Sequence, residues 1–231
     1  MSSCVTLILA TRNRHKVGEI QTILGGSFLC ASMAEYPGAP LAPEDAGSFA
    51  GNATQKAVWL AKWLSSQAVA GPSPNDRVYV LADDSGLEVD ALHGAPGIHS
   101  ARFAALDGNA GNCVDADNNA KLLRLLKEVP WQQRTARFKC VLALTPVREA
   151  GARAASPVCG LDEFEIATRL FEGRCEGRIG FEPKGAGGFG YDPLFIPEGY
   201  DATFAELGEQ VKNGLSHRAR ALAALKAALE A

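Results

Sequence analysis

A chain of 231 residues with 47% hydrophobic content is long enough for one large domain or two lobes around a continuous core, which excludes wholesale disorder. Its formal net charge of −3, with lysines and arginines dispersed, leaves no basic stripe and argues against a nucleic-acid polymer as partner. Six cysteines without a C-x-x-C pair, no bilayer-length apolar run and no signal-type N-terminus predict a cytoplasmic protein, neither secreted nor membrane-bound, without zinc or disulfides.

Val5–Ala10 reads as a strand, Thr11–Lys16 as a polar loop, and Val17, Ile20, Ile23 and Leu24 recur at helical spacing up to Gly25. The loop offers backbone N–H groups, a hydroxyl, an amide and Lys16 at a helix N-terminus, which suits an anion. The plainer alternative makes Asn13 or Thr11 the helix N-cap. Residues 32–47 carry three prolines and read as a mobile loop bearing Glu44 and Asp45. From Ser48, a plausible N-cap, Phe49, Ala53, Ala57, Leu60 and Leu64 mark a long amphipathic helix. Asn52 and Lys56, four apart, share another of its faces. Trp59 and Trp63 are expected to be at least partly buried.

Gly71–Asp76 reads as a turn-rich linker. Val78–Ala82 is an apolar strand, and Asp83, Asp84, Ser85 and Gly86 are turn formers that should end it and present both acids beyond the sheet edge. Adjacent carboxylates repel and stay charged where a cation, typically a hard divalent one, sits between them. An Asx-type turn is the alternative. Glu88–Leu92 suggests more sheet, His93–Arg102 a loop, and Asp115–Glu128 a helix with Leu122, Leu123, Leu125 and Leu126 inward. Thr135–Thr145 alternates as a long strand, Pro146–Pro157 reads as a surface excursion, and Phe164–Phe171 with Cys175–Ile179 as an antiparallel extension.

Gly185–Gly190 formally matches G-x-G-x-x-G, but no helix can open at Tyr191-Asp192-Pro193, so a dinucleotide fold is rejected. Phe189 and Tyr191 there offer planar faces to a base. A last helix from Ser216 through Leu222, Leu225 and Leu229 puts His217 and Arg218 in its first turn, where cations oppose the helix dipole. With Lys212 they are read as facing a ligand.

Six motifs in order now resemble the inosine/xanthosine triphosphate pyrophosphatase family, which hydrolyses non-standard purine nucleoside triphosphates. They are Thr11-x-Asn13-x-x-Lys16, Asn52-Ala53 with Lys56, Ala82-Asp83-Asp84-Ser85-Gly86-Leu87, Gly94-Ala95-Pro96-Gly97, Gly187-Gly188-Phe189-Gly190-Tyr191-Asp192-Pro193 and Ser216-His217-Arg218. The resemblance covers nearly the whole chain. It implies an α/β fold, an elongated mixed β-sheet flanked by helices, as one two-lobed domain over residues 1–231 with its site in a cleft between the lobes, usually in a homodimer.

The resemblance also assigns roles. Thr11, Arg12, Asn13, Arg14, His15 and Lys16 would hold the phosphates, with Lys56 adding charge. Glu44 and Asp84, with Asp83 beside them, would bind Mg²⁺, and Asp84 would be the proton acceptor. Phe189 would stack on the purine; Ser85, Gly190, Tyr191 and Asp192 would line and position the nucleotide; Lys212, His217 and Arg218 would meet the base. Two departures stand out: Gly51 replaces an acid common in the family before the Asn-Ala, and the segment from Arg148 to Thr168 is long. A Maf-type pyrophosphatase acting on modified pyrimidine nucleotides and a non-catalytic nucleotide-binding module are the alternatives.

Overall fold

A computed structural model describes residues 5–67, 77–107, 113–148 and 162–230. The Gly71–Asp76 linker and most of the long 148–168 segment lie outside them. Among the described residues six strands form one mixed sheet in the order β2-β1-β3-β4-β5-β6: β1 (Val5–Leu9), β2 (Leu29–Ser32), β3 (Arg77–Val89), β4 (Thr135–Pro146), β5 (Arg169–Ile179) and β6 (Phe195–Pro197). β1 runs parallel to both β2 and β3, while β5 and β6 are antiparallel. The helices are α1 (Arg14–Leu24), α2 (Phe49–Ser66), α3 (Asp115–Leu125), α4 (Glu163–Ile166), α5 (Phe204–Leu215) and α6 (His217–Glu230). None among the described residues is long and apolar enough to cross a membrane.

The chain divides into two compact units, Met1–Asp84 with Val141–Phe171, and Ser85–Cys140 with Glu172–Ala231. In the first, β1 is central among parallel neighbours and reads as a continuous apolar run, with Leu7, Ile8 and Leu9 fully buried. α2 buries Ala53, Ala57, Leu60, Ala61 and Leu64 on one stripe, as its spacing predicts. Trp59 lies off that stripe and is 47% exposed, contrary to expectation, while Trp63 is half-buried. In the second unit Leu87, Val89, Phe103, Leu122, Phe138, Ile179, Phe195 and Phe204 share a core. The rings of Phe138 and Phe195 lie 4.7 Å apart, those of Phe195 and Phe204 5.2 Å.

Several boundaries differ from the sequence reading. β3 does not stop at Ala82: it continues through Asp83-Asp84-Ser85-Gly86 to Val89, so both acids lie within the sheet rather than beyond its edge. Asp turns a chain by bonding its own backbone, and here the carboxylates are engaged by lysines instead. The stretch expected as strand from Phe164 opens as helix α4, because Asp162 caps it by accepting from Phe164 N at 3.0 Å; β5 begins only at Arg169. α5 was not anticipated, although Thr203 and Glu206 form a reciprocal capping box at its start; Gly208, at φ 79°, interrupts it.

α3 ends at Leu125, leaving that side chain exposed, and not at Glu128. Arg134, 2% exposed, stops it: its guanidinium donates to Leu126 O at 2.6 Å, Val129 O at 2.9 Å and Gly180 O at 2.8 Å, with the Phe181 ring 4.1 Å away. A buried cation satisfied by carbonyls at a helix C-terminus is favoured by the dipole. Replacing it with alanine removes three hydrogen bonds and takes the guanidinium donors from Gly180 O and Val129 O, while Leu126 O keeps Val129 N at 3.0 Å. Arg134→Ala should lower unfolding stability by about 3 kcal/mol, read from urea melts, and Arg134→Lys, with fewer donors, should recover only part.

Candidate active site

In the first unit the site grows from period two of a strand. Asp83 and Asp84 are adjacent on β3, so their side chains leave on opposite faces, and each needs its own cation. Both are buried, 3% and 7% exposed. Lys16, in the first turn of α1, reaches Asp83 Oδ1 with Nζ at 2.5 Å. Lys56, in the middle of α2, donates to Asp84 Oδ1 at 2.7 Å and to Asp83 O at 3.1 Å, and its Nζ lies 3.7 Å from Glu44 Oε1. Asn52, one helical turn before Lys56, donates to Asp84 Oδ2 at 3.2 Å. Desolvation nevertheless pushes the Asp84 carboxyl above the usual carboxylate range, outweighing the pull of Lys56, Lys16 and Asn52.

The loop carrying Glu44 docks on α2 through several contacts. Ala46 N donates to Asn52 Oδ1 at 3.0 Å, and Gln55 Nε2 donates to Asp45 Oδ1 at 3.0 Å. A Cβ at Gly51 would come 2.6 Å from Ala46 Cβ. The glycine therefore gives the room in which the loop closes on the helix. Asn52 received no role in the sequence reading, although its four-residue spacing from Lys56 marks a shared face.

The Thr11–Lys16 loop is capped from within. Asn13 Oδ1 accepts from His15 N at 2.9 Å and Lys16 N at 3.2 Å, and Thr11 Oγ1 accepts from Asn13 N at 3.1 Å. Asn13 is thus the N-cap of α1, as the plainer alternative had it. Arg12 Nη2 approaches Ala39 O at 3.5 Å, and Arg14 and His15 are exposed. Of this loop, Lys16 is the residue brought to the acids.

No group of three His, Cys, Asp or Glu side chains suited to a metal assembles among the described residues. The donor set still fits a hard divalent cation. Glu44 and Asp84 converge on one cation, the Lys56 ammonium, and around β3 two ammonium groups face three carboxylates. Mg²⁺ characteristically takes one or two protein carboxylates and completes its shell with substrate phosphates and water.

In the second unit the predicted residues gather around Asp192. Lys212 Nζ, buried on α5, meets Asp192 Oδ2 at 2.5 Å, and the same oxygen accepts from Phe189 N at 2.8 Å. A Cβ at Gly188, at φ 74°, would collide with that carboxylate, so glycine is required there. Lys212 Nζ lies 4.5 Å from the Phe189 ring centroid and Arg218 Cζ 5.9 Å, placing two cations beside a half-buried aromatic. Arg218, buried in the first turn of α6, donates to Ser85 Oγ at 3.0 Å.

His217 stacks on Phe138, with centroids 4.8 Å apart and planes at 15°. Tyr191 is not a stacking face: it belongs to the core, its hydroxyl donates to Ser100 O at 2.9 Å, and burial pushes its phenol upward. Two residues to which the sequence assigns no site role hold the same loop: Asp115 Oδ2 accepts from Gly190 N at 2.6 Å, and Asn119 Nδ2 donates to Gly190 O at 3.0 Å.

Residues 7–228 match the Ham1 family. A dITP/XTP pyrophosphatase of Pseudomonas aeruginosa is 46% identical over 222 residues, 95% of this chain and 94% of its own length. One from Desulforamulus reducens is 44% identical over 217 residues, 94% and 91% of the two chains. Among solved structures, a HAM1 protein from Coxiella burnetii superposes with a TM-score of 0.75 at 32% identity and covers 98% of both chains. A nucleoside-triphosphatase / dITP/XTP pyrophosphatase from Mycobacterium abscessus gives 0.65 at 34%, covering 95% and 98%. With acids, lysines and aromatic loop all inside a match that runs almost end to end, the chain belongs to the Ham1 family.

Proposed function

We propose that this chain hydrolyses non-standard purine nucleoside triphosphates, inosine, deoxyinosine and xanthosine triphosphates, to the monophosphate and pyrophosphate, with Mg²⁺ as cofactor. The observation that carries the reading is the convergence of Glu44 and Asp84 on Lys56, in a chain whose relatives include dITP/XTP pyrophosphatases. Membership of the Ham1 family leaves the Maf-type alternative unsupported.

Glu44 and Asp84 would hold the metal, with Asp83 beside them. When bound, Mg²⁺ would neutralise phosphate charge that otherwise repels a nucleophile. Lys16 and Lys56 serve the same end, exchanging a carboxylate for a phosphate oxygen; Thr11, Arg12, Arg14 and His15 flank the phosphates, and Asn13 shapes the loop. Asp84, its carboxyl raised by burial, orients water and accepts its proton. Phe189 stacks on the purine, on a loop tied down by Asp192 and joined to the Tyr191 anchor. Lys212 and Arg218 present donors only, which suit the 6-oxo group of hypoxanthine or xanthine and oppose the amine of adenine. Ser85 orients Arg218. A homodimer, which the resemblance implies, and a cytoplasmic location, which the cysteine usage suggests, complete the proposal.

With Mg²⁺, pyrophosphate should be released from inosine and xanthosine triphosphates far faster than from adenosine or thymidine triphosphates, and chelator should abolish it. A folded protein that releases none from any of them, yet binds inosine triphosphate, would be the non-catalytic module instead. Asp84→Asn should remain folded by its melting curve and lose roughly 10²- to 10⁴-fold in kcat, as measured by phosphate-coupled turnover. Lys56→Met should raise KM as well as lower kcat, because the ammonium meets both the acids and, in this reading, the phosphates.

A further inference from the structure

α3 buries the wrong kind of surface for a core helix. Asp115, Asn118, Asn119 and Leu122 occupy the i, i+3, i+4, i+7 positions that an amphipathic helix gives to its inner stripe. Only Leu122 is apolar. Asn118, Asn119 and Lys121 are buried, and burying polar groups costs free energy unless each finds a partner. The partners are loop backbone. Asn118 accepts from Ala104 N at 2.8 Å, and Lys121 donates to Phe103 O at 2.8 Å. Asp115 and Asn119, one turn apart, take both backbone polar groups of Gly190, the N–H of the peptide that joins it to Phe189 at 2.6 Å and the carbonyl of the peptide that joins it to Tyr191 at 3.0 Å.

Phe189, the neighbour of Gly190, has its own N–H on Asp192 Oδ2 and its carbonyl accepting from Asp192 N at 3.2 Å. Gly190 sits at φ 62°, a left-handed conformation that the loop must be held in. Asn119 Oδ1 finds no partner among the described residues, so what its buried amide does there is donate to Gly190.

We infer that Asp115 and Asn119 are positioning residues that clamp Gly190 and thereby set the plane of Phe189 for the purine. The inference rests on the function proposed above. It requires an acceptor at 115 and a donor at 119. Phe189→Ala, Asp115→Ala, Asp115→Asn, Asn119→Ala and Asn119→Asp are compared with wild type for kcat and KM on inosine triphosphate and for inosine monophosphate affinity by calorimetry, with melting curves alongside. Asp115→Ala and Asn119→Asp should each raise KM and weaken the monophosphate about tenfold, the worth of one hydrogen bond, with a smaller change in kcat. Asp115→Asn keeps an acceptor and should stay within about twofold of wild type; Asn119→Ala should fall between.

If Phe189→Ala raises KM while Asp115→Ala and Asn119→Asp do not, the clamp is wrong. It is also overturned if Asp115→Asn falls as far as Asp115→Ala, or if Phe189→Ala leaves KM unchanged. Absence of turnover in the wild type would instead defeat the proposed function itself, and the clamp with it. Asp115 is exposed in the first helical turn, so its variants keep the test open should substitution at buried Asn119 prevent folding.

Discussion

Two neighbouring carboxylates buried in the middle of a strand are the constraint from which the rest of the first unit follows. A buried charge without a partner costs several kcal/mol, so neither Asp83 nor Asp84 tolerates a missing cation. The pleat sends them to opposite faces, and one lysine cannot neutralise both side chains. Two helices are therefore committed, α1 to bring Lys16 and α2 to bring Lys56. The commitment extends outward: α1 must start where Asn13 caps it so that Lys16 falls in its first turn, and α2 must present Asn52 and Lys56 on one face.

The second unit solves the converse problem. Lys212 and Arg218 are buried cations, both near an aromatic ring, and Arg218 stands at a helix N-terminus where the dipole disfavours it. Asp192 neutralises Lys212 while accepting the Phe189 N–H, so one carboxylate couples the charge to the loop that bears the aromatic. Gly188 is glycine because that carboxylate occupies the space of a side chain.

Much of this was legible because several signals are local. Ser48 before an apolar stripe, Ser216 before His217 and alternation across Thr135–Thr145 each specify an element through neighbours in sequence, and each is present. The misreadings of β3, the end of α3 and Tyr191 share one cause, a partner distant in the chain, whereas α4 and α5 start on local caps. Asp-Asp-Ser-Gly has turn propensity, yet Lys16 and Lys56, 67 and 28 residues away in the chain, take the carboxylates that would have made the turn. Likewise the end of α3 is decided by Arg134, and the fate of Tyr191 by Ser100 O, 91 residues distant. In the first unit Lys56 and Asp84, and in the second Lys212 and Arg218, are charged side chains whose residue types stand out in the sequence. Asn52, Asp115 and Asn119 act on backbone or on another side chain, and an amide in a helix does not announce which peptide it will meet. Thr203-x-x-Glu206 is the local signal in the sequence for the start of α5.

The dense internal pairing of the charges also bears on how a triphosphate would be received. Lys16 and Lys56 are not held by salt bridges for stability alone, since ion pairs in partly buried sites gain little net free energy over well-packed apolar groups. What the pairs do is fix two ammonium groups beside acids that outnumber them. In the proposed reading an incoming phosphate with a divalent cation would find complementary partners already in place: Glu44 and Asp84 would hold the cation, and Lys16 and Lys56 would exchange a carboxylate for a phosphate oxygen. Little reorganisation is needed at the moment of reaction, and reorganisation is the main cost of stabilising charge in water. In that reading the burial that raises the Asp84 carboxyl would add to this, because a carboxylate whose affinity for a proton is raised by desolvation is a better acceptor than one fully compensated by its neighbours.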